Sequence, residues 1–261
     1  MARLYKFNNG PSKNNNMKMR YLKSIVMVAF LSLTALFVMD SCSTSKKTAT
    51  PKRDTAVATN APDYKQIKKE INSKGSEFYY PELLRRFEAA DTTLSLEQVR
   101  HFYYGAATKA EYNPYFSLLH ELNEALGKGD LQKADSIIDR QLAVDPANLQ
   151  FYEHKMMLKI KQFGRDSKES DNAFFQVFML SSAILSSGDG LSKESAIHVI
   201  SIADEYAIMN LYGLSLKMQS LIMEDGQKFD KMDLEPNKYG WESLYFNTTI
   251  TETAMNKIFG F

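Results

Sequence analysis

The chain has one cysteine, seven prolines and one tryptophan among 261 residues, and no excess of either charge, with 32 Lys+Arg against 31 Asp+Glu. A single Cys excludes a disulfide framework within the chain and a zinc site built from cysteines. The charge balance argues against a nucleic-acid-binding surface, which needs clustered basic residues. No P-loop, Rossmann fingerprint or Gly-x-Ser-x-Gly elbow is present, and none of the four histidines forms a His-x-x-x-His pair. No cofactor and no metal are therefore expected. The composition is 44% hydrophobic and 24% charged, that of an ordinary globular protein with a sizeable core in one or two domains.

There is only one long apolar run. It spans Ile25 to Met39, broken by Ser32 and Thr34, and it follows the basic stretch Met17 to Lys23. It falls short of the roughly 20 residues that a membrane-spanning helix needs. A basic start, a short apolar core and small residues before a cleavage point define a secretory signal. With Cys42 directly after Ser41, the arrangement resembles a bacterial lipoprotein signal, with cleavage before Cys42 and lipid on its sulfur and new amino group. A signal cut near Ser41 without lipid, and an N-terminal anchor helix, stand as alternatives. Met1 to Asn16 are polar and patternless, so the expected true start is Met17. Residues 1–41 hold six of the positive charges and one of the negative, leaving 26 and 30 in the mature chain, a net of −4.

Residues 42–62 read as the lipidated Cys and a flexible tether. Ser43 to Pro62 is rich in Ser, Thr, Ala and Lys and has no aromatic. Such a segment cannot bury enough surface to offset its ordering entropy. Its length would span about 25 Å as a flexible chain. No acidic cluster follows Cys42 of the kind that directs surface display in some Gram-negative lipoproteins. By that resemblance the protein is expected on the periplasmic side of the envelope, with surface display left open.

From residue 63 to 190 the pattern is helical. Tyr64, Ile67 and Ile71 share one face, Pro81 opens a second helix, and Ser95 with Gln98 forms a capping box for a third. Tyr115 to Ser187 reads as two helical hairpins, divided by Gly127–Asp130, Asp145-Pro146 and Gly164–Ser170. The Gly-Asp turn beside Ala134 and the Asp-Pro after the second helix resemble tetratricopeptide repeats, but only about two units fit. About three are usually needed for such a stack to stand alone, so other structure must cap it. In 191–261 the Asp225-Gly226 pair lies between two apolar segments, a hairpin signal, and Ser243 to Ile250 is rich in aromatic and β-branched residues. Residues 192–219 fit helix nearly as well as strand. The predicted class is α+β: tetratricopeptide-like N-terminal helical hairpins packed with a small C-terminal antiparallel β-sheet, the two regions forming one compact domain.

Several segments, taken in order, resemble the domain-of-unknown-function 4919 family of Gram-negative lipoproteins. They are Tyr80-Pro81-Glu82-Leu83-Leu84, Asp91-Thr92-Thr93-Leu94, Phe102-Tyr103-Tyr104-Gly105 and Tyr112-Asn113-Pro114-Tyr115. Later come Ser187 to Ser192, His198 to Ser201, Asp204-Glu205-Tyr206 and Leu244 to Asn247. The resemblance covers about residues 63–250. It implies a lipoprotein domain of helices and sheet, and no activity.

Two constellations merit attention. His198, Asp204 and Glu205 could meet across a hairpin, with Asp189 nearby, as a general base held by a carboxylate would. Turn chemistry and a satisfied buried His are the commoner use of such residues, so no catalytic group is assigned. The second is aromatic. Consecutive rings at Phe78-Tyr79-Tyr80 and Phe102-Tyr103-Tyr104 cannot all sit on one helical stripe. Tyr103 or Tyr104, with Tyr112 and Tyr115, is the expected protein-partner surface, unless the rings pack against the C-terminal sheet. The expected function is a membrane-tethered, non-catalytic interaction module. The alternative is a ligand-binding protein or hydrolase built on His198 and its acidic neighbours.

Overall fold

The computed structural model describes residues 60–259, with side chains to Ala254. The expected signal, Cys42 and nearly all of the tether lie outside the described residues. Among the described residues no helix is long and apolar enough to cross a membrane.

The helical part runs α1 Tyr64–Ile71, α2 Tyr80–Glu88, α3 Leu96–Ala106, α4 Leu119–Gly127, α5 Leu131–Val144, α6 Leu149–Phe163 and α7 Lys168–Leu185. Local chemistry sets most of these starts. Asp63, Asp130, Asn148 and Ser167 each accept a hydrogen bond from the backbone N–H three residues on, satisfying a donor that the helix leaves open. Ser95 and Gln98 close the capping box reciprocally.

α3 is the axis of the fold. Every residue from Gln98 to Ala106 is buried, because α1 and α2 pack on it from one side and α7 from another. A helix covered all round needs no polar face. Phe102 stacks on Phe87 at 4.7 Å and on Tyr80 at 5.6 Å, while Tyr103 meets Tyr104 edge-on at 4.9 Å. Helices α4 to α7 pack in chain order as two hairpins. α3 covers the end of that stack through α7, which is the capping the short repeat region requires.

The last third is β1 Ile197–His198, α8 Ile202–Tyr212, β2 Leu216–Glu224, β3 Gln227–Leu234, β4 Ser243–Asn247 and α9 Thr249–Phe259. The sheet order is β1-β4-β3-β2. The α+β expectation holds, with one correction to the sheet. β2, β3 and β4 are antiparallel as expected, but β1 adds a parallel pair with β4, so the sheet is mixed. Two residues leave no periodic trace in a sequence. The Asp225-Gly226 hairpin is present, with both residues at positive φ, 50° and 74°, as a two-residue turn of the matching twist requires. The segment left between helix and strand contains both. Ser201 caps α8 and Gly213 ends it in the left-handed region. One hydrophobic core joins the two regions, from Ile67 in α1 to Phe246 in β4.

The turn before β1 is tightly packed. A Cβ on Gly188 would stand 2.3 Å from the Ser195 carbonyl oxygen, whereas one on Gly127 would meet nothing within 4 Å. Gly188→Ala should therefore destabilise the fold by about 1–3 kcal/mol, as overpacking does. Gly127→Ala should leave it as stable or slightly more so. Thermal melts of the two variants compare them directly.

Candidate functional site

Three tyrosine hydroxyls converge on the chain between β1 and α8. Tyr103 donates to Asp204 Oδ2 at 2.6 Å and accepts from the Ile200 backbone N–H at 3.1 Å. Tyr104 donates to the His198 carbonyl at 3.2 Å, and Tyr112 to the Ile200 carbonyl. Here the aromatic expectation is corrected. Tyr103 and Tyr104 are fully buried, and Tyr112 is half-buried. Neither Tyr103 nor Tyr104 offers a surface ring to a partner. The reading failed because neighbours on several sides bury rings that a single stripe cannot. Tyr115 is exposed at 45%, and its amide N–H bonds the Asn113 side chain.

Asp204 and Glu205 are likewise not turn residues. They lie in the first turn of α8, and both are fully buried. A local signal for this exists in Ser201 followed by two acids, the usual start of a helix. No hydrogen bond or ion pair joins His198 to either acid among the described residues. His198 is pushed down to about 4 by burial and by the Arg100 cation. It is therefore not a base poised by a carboxylate. Asp189 is turn chemistry as expected, accepting from Ser195 Oγ at 2.6 Å and from the Leu191 N–H at 3.0 Å.

The two acids instead form part of a buried carboxyl cluster. Burial pushes Asp204 up to about 8, with the charges of Asp145 and Glu153 adding to the effect and the Tyr103 hydroxyl opposing it. Burial, with the facing Asp230 carboxyl, pushes Glu205 up to about 10. Asp230 projects from β3 and is itself buried. No N–H or hydroxyl group bonds either Glu205 oxygen. Glu205 so raised keeps its proton, and its protonated carboxyl can donate towards Asp230. Helix α8 is thus fastened to α3 through Asp204 and to β3 through Glu205. Among the described residues no group of three or more His, Cys, Asp and Glu could hold a metal ion.

The remaining histidines are structural or exposed. His101 is buried, with Nε2 2.7 Å from Glu70 Oε2 and Nδ1 2.9 Å from the Glu97 carbonyl, and it stacks on Phe78 at 3.8 Å. His120 is exposed on α4 and His154 half-buried on α6.

What sequence reading passed over is the sheet edge. Among the described residues β2 pairs with β3 on one side only, and it spans nine residues. Met218, Leu221 and Met223 on it are exposed at 56%, 59% and 68%. Leu221 stands opposite Asp230, and Gln219 opposite Met232, on the face where both β3 residues are buried. Tyr206 of α8 reaches Gln219 at 2.9 Å. Leu221 and Met223 continue that face towards the hairpin tip and stay exposed. The available signal was apolar residues interleaved with Lys217, Gln219 and Ser220 just before an Asp-Gly turn.

A family model described as a domain of unknown function (DUF4919) matches residues 65–256. The chain belongs to this family. The match takes in α1 to α8, the whole sheet and most of α9, so the family's shared unit is the entire described fold. Comparison with curated proteins and with solved structures found no match.

The carboxyl cluster sets a pH dependence. Asp204 and Glu205 hold protons in the native state that an unfolded chain gives up near the ordinary carboxyl range. Their stabilising effect is complete below that range and is lost as pH rises through about 8 and about 10. From pH 7 to 9 stability should fall by on the order of 1.4 kcal/mol per pH unit for each proton fully retained. Denaturant melts across that interval should show the fall, and Glu205→Gln should flatten it. Tyr103→Phe, which strips a hydroxyl from Asp204 and the Ile200 amide, should cost about 1–3 kcal/mol.

Proposed function

We propose that the protein is a lipid-anchored, non-catalytic interaction module of a Gram-negative envelope, facing the periplasm, and that it binds a protein partner along β2. The observation that carries this reading is the exposed edge strand, with Met218, Leu221 and Met223 beside unpaired backbone groups. Soluble proteins usually blunt such edges with short strands, charges or proline. The opposite edge, β1, is two residues long, whereas β2 has nine and no proline. An added strand would gain main-chain hydrogen bonds along the edge and apolar contacts from alternate side chains.

The anchor rests on the basic n-region, the short apolar run and Cys42 directly after it. A tether from Ser43 would hold the domain within reach of the membrane. The non-catalytic reading is supported by the placing of Asp204 and Glu205, which are sealed in the core and engaged in holding α8.

Two measurements test the proposal. Cys42→Ala should abolish labelling of the protein by a fatty-acid probe and leave the signal uncleaved; labelling that survives the substitution would reject the anchor. A photo-reactive residue at Met223 should cross-link in cells, while one at Met157, exposed at 61% on α6, should not. Equal yields at the two sites would reject β2 as the binding face.

A further inference from the structure

The ends of β2 carry opposite charges, and the residues between them are fit to meet their own copies. We propose that the partner on β2 is a second copy of this chain, paired antiparallel about a two-fold axis at Leu221. This rests on the reading of β2 as the binding face and names its occupant.

A two-fold axis normal to a sheet sets each residue opposite one on the same face, so one residue must face itself. With Leu221 at the axis, Leu221 meets the second copy's Leu221, Gln219 meets Met223, and Lys217 meets Asp225. Lys217 and Asp225 make no ion pair among the described residues, and both are exposed. Lys217 acts on Asp233 of β3 without an ion pair, and Asp233 is paired with Lys231 at 2.8 Å. Lys217 sits at the irregularity between Leu216 and Met218, and its long stem can cover the offset. Each dimer would thus gain two ion pairs at the rim and an apolar centre from Leu221 and Met223. Centring the axis on Ser220 instead sets Lys217 against Met223 and loses both ion pairs. Charge complementarity therefore selects the Leu221 register, in which opposite charges close both ends. The product is a continuous eight-stranded sheet in which the long edge of each copy is buried, with the two-residue β1 strands at its outer edges.

Sedimentation of the full-length chain carrying Cys42→Ser, in non-ionic detergent, tests this over a wide concentration range. The expected result is a monomer–dimer equilibrium. Leu221→Asp, which sets two carboxylates against each other on the axis, should abolish the dimer, and Met157→Asp should keep it. In the same background Leu221→Cys should be joined into a dimer by a short bis-maleimide, and Met157→Cys should not. The cross-link stands as the test by itself if Leu221→Asp fails to fold. A monomer at every concentration with no Leu221→Cys cross-link would overturn the proposal, as would a dimer that survives Leu221→Asp. Met223 adducts holding a different protein, with no homodimer, would remove self-pairing and leave β2 standing as a binding face. Equal Met223 and Met157 yields would remove the face itself.

Discussion

The hydroxyl of Tyr103 is the joint on which the fold turns. It lies at the centre of a helix buried on all sides, and it ties that helix to Asp204 and to the Ile200 amide. A buried hydroxyl with both a donor and an acceptor role filled is stabilising, whereas any one of these groups left alone would be costly. The joint also aligns the segment from β1 to α8, and Glu205 then faces Asp230 on β3. The Tyr103–Asp204 bond thus orients the helical region against the segment that leads into the sheet, which apolar packing alone would not do.

Much of the helical region was legible because its signals are local. Pro81, the Ser95–Gln98 box and the Gly127–Asp130 turn in that region, and the Asp225-Gly226 turn in the sheet, each act through residues a few positions away. Such chemistry survives without any knowledge of the rest of the chain. The burial of α3 was not legible, because it depends on α1, α2 and α7 closing round it. A stripe argument assumes one buried face, and α3 has none that is exposed. For the same reason Tyr103 and Tyr104 looked available to a partner when they are the centre of the core.

The acids of α8 were misplaced for a different reason. Asp-Glu pairs are common in turns, and charge alone speaks for the surface. What reverses that expectation is the company the pair keeps: Tyr103 on one side and Asp230 on the other, 101 and 25 residues away in the chain. Raised towards their protonated forms by burial, Asp204 and Glu205 can stay inside. The sheet edge was overlooked because Leu221-Ile222-Met223 read as a buried apolar run, and β2 lacks the alternation that would mark an exposed face. Tyr206 of α8 bonds Gln219, and beyond it Leu221 and Met223 are exposed.

The Tyr103–Asp204 bond also bears on the order in which the chain can fold. Its partners are separated by 101 residues, and the Tyr104 and Tyr112 bonds by 94 and 88. Contacts that span such distances must wait for long loops to close, which slows folding. A chain emerging from the ribosome would leave the Tyr103, Tyr104 and Tyr112 hydroxyls without these partners until the segment after Ile197 arrived. The helical region can thus take shape early, through the local packing of its hairpins, while its junction with the sheet forms late.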